Sequence, residues 1–204
     1  MKNNFYTRFG KRGFDLLIAV PGLFLLSPFL LSIAFIIKIT DPGPVLFIQT
    51  RIGKQFRPIR IYKFRSMLPG AEKQGAGITV AHDLRITRIG KILRATKMDE
   101  LPQLLNVIKG DMSFVGPRPE VAEFVTLFKA DYEDILKVRP GITDYASIEY
   151  RHEEDILTAY EDIRSGYIKE VLPAKIKLYK KYLQEISFLT DSKLIFMTIR
   201  KIFS

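Results

Sequence analysis

The sequence predicts an α+β chain, mainly helical, in which a long apolar helix precedes one cored domain containing a small β-hairpin. Three observations carry this. Residues 16–37 contain no charge, "VLFIQTRIG" and "PIRIYKF" are β-branched and aromatic runs, and "DELPQLLNVIKG" carries helix start and stop signals in order. At 204 residues the chain is long enough for one core and short for two, so the division expected is 1–40 for the membrane segment and 41–204 for the domain. Lys and Arg exceed Asp and Glu by 32 to 22, a net charge of +10 that calls for an anionic partner. Nucleic acid, phospholipid headgroups and phosphorylated metabolites all satisfy it. The absence of cysteine excludes disulfides and thiolate metal sites, and the spacing of His82 and His152 gives no zinc pattern.

As a straight helix the uncharged run reaches about 33 Å, the thickness of a bilayer's hydrocarbon core. It lacks the small-residue cleavage site of a signal peptide, so it is expected to stay in the mature protein. Pro28, after Ser27, interrupts the run near its middle. Such breaks persist where neighbours satisfy the freed carbonyl, and the Ser27 hydroxyl is placed to do so. Basic residues stand on both sides, with Lys2, Arg8, Lys11 and Arg12 before the run and Lys38, Arg51, Lys54 and Arg57 among those after it. Both flanks therefore favour the cytoplasmic side. A kinked spanning helix and a re-entrant helix bent at Ser27-Pro28 both remain open on residues alone.

"DPGP" from Asp41 ends the helix, and the two β-branched runs then pair as a hairpin across "KQFR". Residues 67–79 read as a glycine- and proline-rich loop. From Asp83, Arg85, Arg88, Lys91, Arg94 and Lys97 recur every third residue beside Ile86, Ile89, Ile92 and Leu93, an amphipathic helix with a basic band. Most of that band reads as a solvated or headgroup-facing surface. Arg94 is singled out because it lies five residues before Asp99, near enough for both to meet one phosphate.

Asp99 and Glu100 open the helix that Pro102 starts and Gly110 stops. The amides and dipole of a helix start stabilise anions, which is expected to keep Asp99 ionised and to favour phosphate nearby. "GPRPE" is a rigid turn holding Arg118 between Pro117 and Pro119, followed by an amphipathic helix through Phe128. In the C-terminal "SKLIFMTIRKIF", apolar and basic residues alternate at helical spacing. Such a helix either lies in a membrane interface or packs on the core.

Together, the apolar run with Ser27-Pro28, "DPGPVLFIQTRIGK", "IYKFRSM", "DLRITRIGKILR", "DELPQLLNVIKGDMSFVGPRP" and "RPGIT" resemble the bacterial sugar transferase family. These are the small monotopic polyprenyl-phosphate phosphoglycosyl transferases, and the resemblance runs from about Phe9 to Phe203. It implies transfer of a sugar 1-phosphate from a UDP-sugar to undecaprenyl phosphate or a similar polyprenyl phosphate, with release of UMP, as the first membrane step in building a surface glycan or glycoconjugate. It further implies a Mg2+-dependent ping-pong mechanism in which Asp99 is the nucleophile and Glu100 completes the dyad, the two also serving the metal. By the same match Arg118, in Pro117-Arg118-Pro119, serves the nucleotide end of the donor, and Lys63 and Arg65 either assist phosphate binding or serve the fold. Arg94, by its place near Asp99, is expected to offset the charge of the donor phosphates, and Arg151 is a further substrate-binding candidate.

The resemblance also implies a re-entrant helix bent at Ser27-Pro28 and a compact catalytic domain on the cytoplasmic face of the bacterial inner membrane, with interfacial amphipathic helices among its phospholipids. Nucleic acid is then not an expected partner, and a homodimer stays open. Departures follow Gly141. In "ITDYASIEYR", many members carry Gly-Trp-Ala-Gln-Val-Asn-Gly-Arg, so Tyr145 stands for Trp and Ser147 for Gln, while Ala146 and Arg151 match. Tyr179 stands where the family often has Asp, although Tyr182, Ser187 and Asp191 fit. These departures bear on the donor sugar more than on the reaction. Two other readings remain, a non-catalytic membrane-anchored polyanion binder and a Mg2+-dependent lipid phosphatase.

Overall fold

The structure is a computed structural model that describes residues 5–71 and 83–202. Lys2, His82, Phe203 and most of the expected 67–79 loop lie outside them. Helix α1, Lys11–Thr40, follows a short π-helical turn, Tyr6–Gly10, and runs through both Pro21 and Pro28. Among the described residues it is the one helix long and apolar enough to cross a membrane. Pro28 has no N–H for the Phe24 carbonyl, and the Ser27 hydroxyl donates to that carbonyl at 2.7 Å, as the sequence leads one to expect. The gap left by the proline is thereby closed from within the helix.

Both ends of α1 are fastened to the same body. At the N-terminal end, Arg12 donates to the carbonyls of Val107 and Ile108 at 2.6 and 2.9 Å, and Lys11 reaches Asp191 at 2.5 Å. Asp15 accepts from the Ser113 hydroxyl at 2.9 Å and the Phe114 N–H at 3.1 Å. Ala19 shares a cluster with Ile59, Ile61, Val107 and Met112, whereas Ile33 and Ile37 share one with Phe64 and Leu93. Between these contacts Phe24, Leu25 and Leu31 are bare.

Strands β1, Leu46–Ile52, and β2, Pro58–Phe64, pair antiparallel from Leu46 opposite Phe64 to Ile52 opposite Pro58, which is the expected hairpin. Its tight turn puts Gln55 and Phe56 in the left-handed region, at φ 56° and 59°. The other edge of β2 is held by Asn106, which accepts the Tyr62 N–H at 3.1 Å and donates to the Arg60 carbonyl at 2.6 Å. A side-chain amide thus stands in for a third strand and fixes Lys63 beside the next segment.

Helix α2, Arg88–Ala95, starts later than the basic periodicity predicts. Thr87 caps it by accepting the Gly90 N–H at 3.0 Å, and Arg85 lies upstream, turned onto Asp83 at 2.9 Å. Arg88, Lys91 and Lys97 are exposed and Arg94 is partly buried, in line with the reading that set Arg94 apart. Gly90 sits directly on the Ser66 carbonyl, where a Cβ would come within 1.9 Å of the oxygen. Only glycine allows α2 to lie this close, and the contact carries Arg94 toward the interior.

Lys97, at φ 57°, reverses the chain into a 3-10 helix, Met98–Gln103, that continues as α3, Leu104–Lys109, and stops at Gly110 with φ 88°. The predicted start and stop hold, but the first turns are 3-10 rather than α. Strand β3, Ser113–Val115, pairs in parallel with β4, Gly141–Thr143, a pairing the sequence does not reveal because three-residue strands show no alternation. A Cβ on Gly141 would meet the Gly116 nitrogen at 2.1 Å, so the crossing of these two segments requires glycine. The Gly141 N–H then donates to the Pro117 carbonyl at 3.0 Å, which locks the Pro-Arg-Pro turn.

The helix expected to run to Phe128 is α4, Ala122–Leu127, and a second helix, α5, Lys129–Ile135, follows directly after Phe128. Then come α6, Tyr145–Glu149; α7, Glu153–Thr158; α8, Ile163–Gly166; a π turn, Tyr167–Val171; α9, Leu172–Glu185; and α10, Phe188–Ile202. The main core gathers Tyr132, Leu157, Leu172, Tyr179, Tyr182 and Leu194 from four helices, α5, α7, α9 and α10. α10 packs on the core through Leu194, while Phe196 and Ile199 are bare beside exposed Lys193 and Arg200.

Candidate active site

A cleft of about 380 Å³ opens where the hairpin, the 3-10 helix, the Pro-Arg-Pro turn and the α6–α7 segment converge. Lys63 enters it from β2, Arg94 from α2, Asp99 and Glu100 from the 3-10 helix, and Arg118 from the proline turn. Pro119 and Arg151 also line it. The structure therefore brings together residues spread over nearly ninety positions of sequence. Pro117 contributes its carbonyl to the turn instead. Arg65 stands apart, buried, with its guanidinium on the carbonyls of Asp41 and Pro42, where it closes the end of α1. Ser27 and Pro28 lie in the bare middle of α1.

Glu100 is the electrostatic hub. Its carboxylate accepts from Lys63 at 2.8 Å and from both terminal nitrogens of Arg118, one at 3.1 Å and the other closer. Burial pushes the Glu100 carboxyl up, but Arg118 and Lys63 outweigh it and hold the group well below the usual glutamate range. Burial lowers the Lys63 ammonium, partly offset by Glu100, and the Glu100 charge raises Arg118. The carboxylate and the two basic side chains form one hydrogen-bonded triad.

Asp99 differs from its neighbour in every respect that matters for reactivity. It is 6% exposed, and its Oδ1 has no hydrogen-bond partner. Burial raises its carboxyl above the ordinary aspartate range, Glu100 adds to the rise, and Lys63, Arg94 and Lys97 pull the other way. The helix start expected to hold Asp99 low does not dominate, because the 3-10 turn makes no side-chain cap and the group is desolvated. A buried carboxylate oxygen without a partner is held in reserve for something else to occupy.

Arg94 does not touch Asp99 directly. Its guanidinium pairs with Glu154 of α7 and reaches the Ser66 hydroxyl at 3.5 Å. Behind the proline turn lies a network that sequence reading missed. Glu120, 5% exposed, receives the Tyr167 hydroxyl at 2.7 Å and Arg51 at 3.2 Å, with Lys175 at 3.7 Å. Its backbone carbonyl also accepts the Ile52 N–H at 2.8 Å. Burial would raise Glu120, but Lys175 and Arg51 bring it below the usual range. The signal was its place directly after Pro119; a buried acid ending a rigid turn anchors that turn.

Of the departures, Ser147 lines the cleft, Tyr145 bonds Glu185 at 2.5 Å away from it, and Tyr179 fills the core. Among the described residues no three His, Asp or Glu side chains gather to cage a metal. The donor set suits Mg2+ all the same, since that ion is commonly bound by one or two carboxylates and completed by substrate phosphates and water. The unpartnered Asp99 Oδ1 fits such a ligand, while both oxygens of Glu100 are already taken by cations.

The family model described as bacterial sugar transferase matches residues 6–204 of the chain. A UDP-N-acetylgalactosamine-undecaprenyl-phosphate N-acetylgalactosaminephosphotransferase of Aeromonas hydrophila is 41% identical over 201 residues, 95% of this chain and 44% of its own length. A UDP-glucose:undecaprenyl-phosphate glucose-1-phosphate transferase of Escherichia coli is 37% identical over 195 residues, 94% of this chain and 39% of its own length. The exopolysaccharide production protein PSS of Rhizobium leguminosarum is 56% identical over 145 residues, 68% of this chain and 72% of its own. The chain thus spans less than half the length of the first two relatives.

Proposed function

The chain belongs to the bacterial sugar transferase family, and from that premise we propose that it transfers a sugar 1-phosphate from a UDP-sugar to undecaprenyl phosphate or a similar polyprenyl phosphate, releasing UMP. The observation that carries this reading is Asp99, buried in the cleft with an unpartnered oxygen among cations that hold Glu100 instead. An Asp99 oxygen bonds to the β-phosphorus of the donor while the bond from that phosphorus to the bridging oxygen breaks, and UMP leaves with the bridging oxygen. An oxygen of the lipid phosphate then attacks the same phosphorus, the acyl phosphate bond breaks, and Asp99 returns to a carboxylate. Splitting the reaction lets UMP leave before the lipid phosphate attacks, so that the acceptor meets a single phosphate group in place of the whole diphosphate.

Lys63, Arg94 and Arg118 supply the positive field in which the diphosphate approaches a carboxylate, and the fixed triad spares reorganisation as charge moves. Asp99, and Glu100 if it yields a cation contact, would hold Mg2+, which neutralises phosphate charge when bound. Arg118 serves the donor. Arg118→Ala is expected to raise the KM for UDP-sugar at least tenfold with little change in the dependence on polyprenyl phosphate, measured by UMP release. A change confined to the lipid dependence would reassign Arg118 to the acceptor.

The proposed membrane placement rests on α1. Its two ends pack on one domain and its apolar middle is bare, which supports a re-entrant helix at Ser27-Pro28 with the domain on the cytoplasmic face of the inner membrane. Single cysteines at Asn4 and Gln55 are then expected to react with an impermeant thiol reagent from the same side of sealed vesicles. Labelling from opposite sides would establish a spanning helix. Incubation of the purified chain with UDP-N-acetylgalactosamine, UDP-glucose and related donors plus undecaprenyl phosphate tests the reaction itself. UMP is the expected product, and inorganic phosphate would point to a phosphatase.

A further inference from the structure

We propose that Glu154 is an internal competitor for the donor's phosphate, its carboxylate occupying on Arg94 the place that the diphosphate of a bound UDP-sugar takes over. The inference rests on the UDP-sugar reading of the cleft. Arg94 and Glu154 both line that cleft and come from separate elements, α2 and α7. α7 is seated by Leu157, 1% exposed, and by Glu153, which accepts from Lys175 at 2.7 Å. The neighbouring Glu154 is thus presented at a fixed position over the cleft. Arg94 is equally well placed, because Gly90 on the Ser66 carbonyl sets the depth of α2 and its charge reaches Asp99.

The two carboxylate pairs of the site differ in kind. Glu100 is 13% exposed and shared by two cations, whereas the Glu154 and Arg94 side chains are 37% and 22% exposed. The outer pair can be exchanged without uncovering a buried charge. A guanidinium binds carboxylate and phosphate oxygens through the same N–H fork, so the two anions exclude each other there. Such a contact lowers donor affinity by the strength of a partly exposed ion pair, roughly two- to fivefold.

The test is calorimetric titration of the whole chain, in detergent or nanodiscs, with UDP as the probe. Glu154→Gln keeps the side-chain shape and removes the charge. It is expected to bind UDP about two- to fivefold tighter and to lower the KM for UDP-sugar without raising kcat. In an Arg94→Ala background the same change should do nothing. Unchanged or weaker UDP binding by Glu154→Gln would show that the pair only props α7, and a gain that survives Arg94→Ala would reduce the effect to net charge; either result overturns the proposal. Absence of UDP binding by the parent protein would instead remove the UDP-sugar reading, and this inference with it.

Discussion

Asp99→Asn is expected to reduce UMP release by at least about 10⁴-fold while leaving the fold intact or slightly firmer. Asparagine fills the same space and cannot form the acyl phosphate. The sign of the stability effect follows from the raised pKa. A carboxyl whose folded pKa lies above its unfolded value opposes folding once ionised, and that opposition fades as pH falls. Removing the charge relieves it, and each kcal/mol relieved raises the midpoint of thermal unfolding by about 2–4 °C. On the proposed mechanism activity runs the other way with pH, since Asp99 must be ionised to attack. The acid limb of kcat/KM in the parent enzyme is therefore expected above the ordinary aspartate range, and the ammonium of Lys63, lowered by burial, brings the alkaline limb below the ordinary lysine range. Full activity of Asp99→Asn would remove Asp99 from the chemistry.

Glu100→Ala is expected to have the second largest effect, and chiefly on stability. The substitution strips the shared counter-charge from Lys63 and Arg118 at once, and removing one member of a buried ion pair costs about 3–5 kcal/mol. The lower end applies because the Lys63 and Arg118 side chains keep 23% and 30% of their exposure. Thermal unfolding should therefore shift down by roughly 6–12 °C. Glu100→Gln, which retains hydrogen bonds to both cations, should unfold closer to the parent, slow turnover, and still permit some labelling of Asp99. A Glu100→Ala midpoint within a degree of the parent would mean that water, rather than Glu100, compensates the two cations.

Features carried by local chemistry were legible in the sequence. The hairpin follows from two β-branched runs around "KQFR", the helix stop from Gly110, and the satisfaction of the Pro28 break from the adjoining Ser27 hydroxyl. The meeting of Lys63, Arg94, Asp99, Glu100 and Arg118 in one cleft was anticipated through the resemblance and the spacing of motifs. Tertiary features were not legible. The parallel β3–β4 pairing depends on Gly116 and Gly141 touching across 25 residues, and Asn106 bonding the edge of β2 leaves no periodic trace. The sign of the Asp99 shift depends on desolvation, which follows from packing rather than from place in a helix. Arg65 shows the same limit, because its motif leaves phosphate binding and a folding role both open and only packing shows it on the carbonyls of Asp41 and Pro42 at the end of α1.

In the proposed mechanism Asp99 carries the phosphosugar between the two substrates. Enzyme mixed with the right UDP-sugar and Mg2+, in the absence of any polyprenyl phosphate, should release about one equivalent of UMP in a burst. Mass spectrometry should then find one phosphosugar added to the peptide from Met98 to Lys109, the adduct and the burst both missing in Asp99→Asn. UMP that appears only when polyprenyl phosphate is present, with no adduct trapped on that peptide, would rule out the covalent intermediate and establish direct transfer within a ternary complex.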